Sequence, residues 1–491
     1  MFKYQKLFES MEQQIISGYY KYGEKIPSIR IISEKTNLSK NTVINALLKL
    51  QDYGYIEGFE KSGFTVSFLN HKSNSKEMLK PIEIKVGKSF LEIMSATSEK
   101  MINLGSVQPD TSYPTVKHFF NIMNQNTKRL SNDHYSGYTS PPGNEKLRSE
   151  IAKDLLLQNV HVPIDEVIIT NGATEAIATA LMSITTKGDV IAIPNPCFLG
   201  YINIAKALDL KILGVPMDCF QGIHINILEK YLENWPIKAI LLTPNFSNPL
   251  PCIMSDSHKK KLVDLSQKFD VPIIEVDVFG QLYFNNKSPL LLKSLNQDNV
   301  IYISSMSKVF HPDIRLGWCC PGKYLDKIRF MKLNFSIATP LLIQLSVAEF
   351  MSRRLYLRHL KILRKSYQIK LSCVIKLIRN YWPKDIKYIM PKGGACLWIE
   401  LPENISVIDL CNKSKEKIFW LFRVPYLQLM IPFKIALKLV TRVSKIQKNI
   451  MMRTSLLENI LRKTYLMKDC KKNTQSLIHL FCMAIFNFSL R

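Results

Sequence analysis

Apolar residues recur at helical spacing from the start of the chain: in FKYQKLFESMEQQII, Leu7, Phe8, Met11 and Ile15 share one face. Gly18 and Gly23 end that helix, and Pro27-Ser28 opens a short second one over SIRIISEKTN. Ser39 caps a third, NTVINALLKLQDYG, whose Val43, Ala46, Leu47 and Leu50 form the buried side. After Gly54 the pattern changes to alternation, and YIEGFEKSGFTVSF predicts a β-hairpin turning near Ser62-Gly63. Polar, Lys-rich residues 71–98 predict a linker after this 1–70 unit. Beyond it the runs EVIIT (166–170), DVIAIP (189–194), KAILLTP (238–244), VPIIEVD (271–277) and NVIYIS (299–304) alternate with helical stretches. Such alternation predicts an α/β unit over 99–417 with a mostly parallel sheet flanked by helices.

Composition narrows the reading. A chain of 491 residues, 46% hydrophobic and 22% charged, has material for two or three domains and is neither disordered nor collagen-like. Its formal charge of +26 points to a polyanionic partner. The excess is uneven: residues 418–491 hold 13 Lys/Arg against only Glu458 and Asp469, so total charge says little about the head. Ten cysteines without a CxxC pair read as reduced thiols of an intracellular protein, and no metal site is expected. With no signal pattern and no long uncharged apolar run, a cytoplasmic protein without membrane contact is expected.

Three helices followed by a hairpin make a winged helix-turn-helix, in which the third helix enters the major groove of double-stranded DNA. The segment PSIRIISEKTNLSKNTVINALLKLQDYGYIEGFEKSGFTV resembles the DNA-binding domain of the GntR family of bacterial repressors. That resemblance implies that Arg30, Ser39, Lys40, Asn41 and Thr42 meet bases or phosphates, with Lys61 at the wing tip. A plainer reading is that Ser39 and Thr42 only cap a helix. Residues 1–70 hold nine Lys/Arg and seven acids, so tight binding calls for a dimer with two phosphate footprints.

In the larger unit the most informative segment is YISSMSKVFHPDIRLGW, which holds Lys308 just after a predicted strand. It resembles the lysine motif of fold type I aminotransferases, the pyridoxal 5'-phosphate (PLP) transferase fold with large and small subdomains. The resemblance implies a Schiff-base role for Lys308 and a phosphate site from Ser305, Ser307 and Arg315. TNGATEAI resembles the family's phosphate-binding turn, through Gly172, Ala173 and Thr174 at a helix N-terminus. Phe198 matches the ring-stacking position, Asn248 the partner of the phenolic oxygen, and Tyr138 the tyrosine contributed by a neighbouring subunit.

Departures from that pattern are also legible. In IEVDVFGQL, Val276 stands where the family has the aspartate that pairs with the pyridinium nitrogen, and Phe279 replaces a tyrosine. Asp277 can serve the nitrogen only if the strand shifts register, because neighbours on a strand point to opposite faces. After PKGGACLWIELP the family's IRL strand, which carries the carboxylate-binding arginine, has no counterpart, and no glycine follows Gly394. Residues 418–491 therefore form a basic, glycine-free tail unlike the family, as a shifted reading frame or a partner helix would give. Head, linker and aminotransferase-like domain together resemble the MocR subfamily of bacterial regulators over roughly residues 5–415. This implies a homodimer that binds DNA and PLP and responds to PLP or a small amino compound. An aminotransferase with an appended head, and a degenerate protein without a ligand clamp, are the alternatives.

Overall fold

The computed structural model describes residues 3–66, 80–82, 102–103 and 107–400, with breaks at 17–18, 22, 53–54, 60–62, 108, 133–136, 220, 285–286 and 382–385. It also describes 419–420, 422–423 and 434–438. The linker expected over 71–98 falls mainly outside these residues, as do Lys61 and most of the 418–491 tail.

In the head, α1 (Lys3–Ile16), α2 (Ile29–Thr36) and α3 (Lys40–Asp52) close over one core. Leu7, Phe8, Met11 and Ile15 meet Ile32, Val43, Ala46, Leu47 and Leu50 there. Full burial of each large apolar side chain stabilises the unit by about 1.5–3 kcal/mol, which holds these short helices together. Asn37 ends α2 in the left-handed region at φ 52. β1 (Ile56–Phe59) and β2 (Gly63–Val66) form the antiparallel hairpin, Ile56 facing Val66. The strip before α2 lines its edge: the Ile26 amide donates to the Phe64 carbonyl, and the Val66 amide to that of Glu24, both at 2.8 Å.

After a short strand, β3 (Ile102–Asn103), the second unit is built on eight strands in the order β4-β11-β10-β9-β8-β5-β6-β7. These are β4 (Ile168–Thr170), β5 (Val190–Asn195), β6 (Lys211–Asp218), β7 (Gly222–Ile223), β8 (Ile237–Leu242), β9 (Ile273–Val276), β10 (Val300–Ser305) and β11 (Gly317–Cys320). All five predicted strands belong to it. β6, β5, β8, β9 and β10 run parallel, while β11 is antiparallel to both its neighbours. Alternate strand residues feed opposite cores, as expected of a sheet covered on both faces. Ile191, Ile274 and Ile301 meet Ala176, Ile177, Ala180 and Leu181 of the helix Ala173–Ile184. Ala192, Ile273 and Val300 meet Leu228, Tyr231, Leu262 and Val263 on the other face.

The 27-residue helix Leu355–Tyr381 leads to a second sheet, ordered β12 (Lys387–Ile389), β13 (Cys396–Glu400), β16 (Lys434–Lys438), β15 (Phe422–Arg423) and antiparallel throughout. A further strand, β14 (Phe419–Trp420), pairs with β3. The compositional change at residue 418 thus does not stop strand formation: two of the four strands of this sheet come after it.

Candidate functional site

Strand register assembles the site. Ser305 at the end of β10 faces Gly317 of β11, and Gly317 faces Thr170 at the end of β4. Three chain segments distant in sequence therefore finish side by side. Gly172, at φ +87, turns the chain out of β4 and caps the helix Ala173–Ile184, whose first amides point outward. Thr174 is exposed and Ala173 half-buried in that first turn. Arg315 lies across the helix N-terminus, donating from Nη1 to Ser307 Oγ at 3.0 Å and from Nη2 to the Asn171 carbonyl at 3.2 Å. The buried Ser305 hydroxyl donates to the Leu316 carbonyl at 3.0 Å and accepts the Ser307 amide at 3.0 Å, which fixes the turn. Gly317 permits the close approach: a Cβ there would lie 2.6 Å from the Gly172 carbonyl carbon. Glu175, in the same helical turn, is engaged by Lys332 at 3.2 Å and by the Ser336 hydroxyl, so its charge is answered locally. The result is a cationic cradle in which a guanidinium lies across the first amides of a helix.

Lys308 follows, half-buried, with Nζ donating to the Val107 carbonyl at 2.9 Å. Phe198 caps the helix Leu199–Ala207 and is 42% exposed, its ring edge-on to Tyr201 at 5.7 Å. Asn248 is half-buried beside Cys396, whose thiol lies 3.7 Å from its Oδ1. Tyr138 is 82% exposed.

Asp277 departs from its expected place. β9 and β10 stay in register, Val276 opposite Ile303, and Val276 packs with Ile303 in the core against the helix Ala173–Ile184. The Asp277 carboxylate turns the other way, accepting from Asn245 Nδ2 at 3.4 Å and Tyr302 Oη at 3.3 Å. Burial raises it to about 6. Lys259 Nζ closes this buried network on Asn245 Oδ1 at 2.7 Å. The register shift needed to bring Asp277 round does not occur, because it would turn the whole apolar face of β9 over.

In the head, the Thr42 amide donates to Ser39 Oγ at 3.2 Å and the two hydroxyls lie 2.8 Å apart, so both serve the cap of α3. Lys40 and Asn41 are exposed in the first turn. Arg30 is exposed and paired with Glu34 at 2.9 Å. An exposed pair at this spacing contributes only about 0.3–0.5 kcal/mol, so a phosphate can displace it.

The Aminotransferase class I and II family matches residues 99–423, and the gntR family of bacterial regulatory proteins matches residues 3–66. An uncharacterized HTH-type transcriptional regulator of Escherichia coli (strain K12), YjiR, is 33% identical over 419 residues, 84% of this chain and 89% of that one. The chain belongs to the GntR-family transcriptional regulators of the MocR type. The HTH-type regulator NorG of Staphylococcus aureus (strain NCTC 8325 / PS 47) is 28% identical, over 80% of this chain and 90% of its own. Among solved structures, the MocR-type chain shares its fold with LysN, the alpha-aminoadipate aminotransferase of Thermus thermophilus (TM-score 0.68, 21% identity, 77% of this chain and 95% of that one). The kynurenine aminotransferase of Pyrococcus horikoshii is similar too (TM-score 0.67, 20% identity, 78% and 94%). No helix among the described residues is long and apolar enough to cross a membrane.

Sequence reasoning missed two features of this MocR-type regulator. The first is the Val107 carbonyl under Lys308. The second is Lys392, whose Nζ stands 5.4 Å from the centre of the Tyr55 ring in the head. Burial pushes the Lys392 ammonium down to about 8, against the opposing pull of Glu12 of α1. Gly393 and Gly394, which follow, press on Phe246 of the loop that holds Asn248. The PKGG segment therefore touches the head on one side and the wall of the candidate site on the other.

Proposed function

We propose that the chain regulates transcription as a homodimer whose heads bind double-stranded DNA and whose aminotransferase-like domains hold PLP, and with it a small amino compound as effector. The division into head (1–70), linker (71–98), PLP domain (99–417) and tail (418–491) is part of this reading, as is action in the cytoplasm, where the DNA is. The observation that carries it is the Arg315 guanidinium bridging Ser307 and Asn171 across a helix N-terminus, in a chain that also carries a GntR head.

Gly172, Ala173, Thr174, Ser305, Ser307 and Arg315 would hold the phosphate, Lys308 the aldehyde end, Phe198 one ring face and Asn248 the phenolic oxygen. Tyr138 would reach the phosphate of the second copy. When bound, PLP supplies an electrophilic carbon for a primary amine and, if its ring nitrogen is protonated, an electron sink. Valine at position 276 offers that proton no counter-charge, so the site favours holding an amine over turning it over. Lys40, Asn41 and Arg30 would meet the DNA, with Ser39 and Thr42 setting the helix N-terminus for a phosphate. Regulation requires PLP or the amine to bind two head arrangements unequally, and the Lys392 contact on Tyr55 is where such a difference would be felt.

The test is the visible spectrum of full-length protein with added PLP beside Lys308→Ala, together with salt-dependent binding to its own upstream DNA. A Lys308-dependent band and DNA affinity that changes with PLP are expected. Rapid transamination of amino acids, or no DNA binding even at low salt, would overturn the proposal.

A further inference from the structure

His359 lies within the helix Leu355–Tyr381 and is fully buried. Its ring joins two segments that converge on Lys308. Nε2 is 2.9 Å from the Val309 carbonyl, and Nδ1 is 2.6 Å from Thr115 Oγ1. A carbonyl can only accept, so Nε2 carries the proton. The neutral ring then offers Nδ1 as an acceptor, and the Thr115 hydroxyl donates to it. Burial holds the ring at about 4, so this single tautomer persists through the neutral range. Edge contacts from Phe310 at 4.9 Å and Tyr113 at 5.7 Å stop the ring from turning.

Both partners matter for Lys308. Val309 is the next residue in the chain, so its carbonyl belongs to the turn that presents the lysine. Thr115 stands in the first turn of the helix Pro114–Asn132, at the end of the segment that begins with Val107, and the Val107 carbonyl accepts from Lys308 Nζ. One imidazole thus ties the backbone carrying the amine to the segment carrying its acceptor.

We propose that His359 is a positioning residue for Lys308, holding the lysine turn and the Val107 segment in one arrangement so that the amine stays on the Val107 carbonyl. The proposal rests on the reading of Lys308 as the residue that attaches PLP, but its test does not depend on the cofactor. In full-length protein without PLP, acetylation of Lys308 by acetic anhydride is followed against pH and located by peptide mass spectrometry. Wild type is compared with His359→Leu, His359→Gln and Thr115→Val.

Loss of one hydrogen bond corresponds to about tenfold, so His359→Leu should release the amine and acetylate Lys308 about tenfold faster near neutral pH. His359→Gln keeps a donor for Val309 and should return most of the wild-type profile, and Thr115→Val should shift it part-way. Wild-type profiles in all three variants would overturn the proposal. Should His359→Leu fail to fold, His359→Gln and Thr115→Val decide by the same criterion: at least one must move the Lys308 profile, or the proposal falls. A second arm adds PLP and borohydride and measures the pyridoxyl group fixed on Lys308. If wild type fixes none while the variants still shift the acetylation profile, the PLP reading fails and the positioning role stands.

Discussion

Alanine in place of Gly172 strikes the cradle without altering any titrating group. Gly172 has φ +87 and ψ 170, a conformation that a residue with a side chain enters only at a cost of about 1–3 kcal/mol. The added Cβ would lie 2.5 Å from Arg315 Nη2. That obstacle is the far end of a flexible side chain, so the clash is relieved when Arg315 swings away. The swing gives up the donations to Ser307 Oγ and the Asn171 carbonyl and withdraws a guanidinium from the helix N-terminus. A hydrogen bond to a charged group is worth about 1.5–3 kcal/mol, which converts to a roughly 10- to 150-fold weaker hold on a phosphate-bearing ligand. The same ligand without its phosphate should bind Gly172→Ala as it binds wild type. Titrating both proteins with PLP and with pyridoxal, read by tryptophan fluorescence, measures the two losses separately. Gly317→Ala is the contrast: its Cβ meets backbone, the Gly172 carbonyl carbon at 2.6 Å and the Ala173 nitrogen at 2.9 Å. Backbone cannot swing aside, so that variant should lose more thermal stability. If Gly172→Ala keeps the full preference for the phosphorylated ligand, the cradle is misassigned.

Three further outcomes follow from named contacts. His359 has its folded-state value depressed from 6.5 to about 4, so the unfolded chain binds the proton first. The associated stability is present above about 6.5 and disappears as pH falls toward 4, a difference of about 3 kcal/mol. Denaturant melts of wild type and His359→Gln should therefore converge on acidification, and a constant gap across that range would count against a buried neutral imidazole. Lys392→Ala removes the cation over Tyr55, a contact worth about 0.5–1 kcal/mol or more. DNA affinity measured by fluorescence anisotropy should then no longer respond to PLP, and an unchanged response would place the coupling elsewhere. Arg30→Ala should reduce the slope of log affinity against log salt by about 1 if Arg30 leaves Glu34 for a phosphate; an unaltered slope would remove it from the interface.

Periodicity along the chain determined the elements themselves. Leu7, Phe8, Met11 and Ile15 face the core because a helix repeats every ~3.6 residues whatever surrounds it, and Ser39 starts α3 because a helix start needs an acceptor for its first amides. The five apolar runs became strands for the same local reason, and the lysine segment was readable because Ser305, Ser307, Lys308 and Arg315 lie close together in sequence. Alternation along a strand also set the condition that Asp277 could serve the ring nitrogen only through a shift of register.

What lies across long sequence separations was decided only by the tertiary structure. β11 is short, without alternation, and its antiparallel place between β4 and β10 follows from packing; that place sets Gly317 against Gly172 and closes the cradle. His359 meets Thr115 and Val309, Lys308 meets Val107, and Lys392 meets Tyr55. No local pattern encodes these pairs: each depends on where two separately folded elements are pressed together by the apolar faces between them. Local backbone physics writes the elements into the sequence, whereas a contact between distant residues exists only once the whole core has closed.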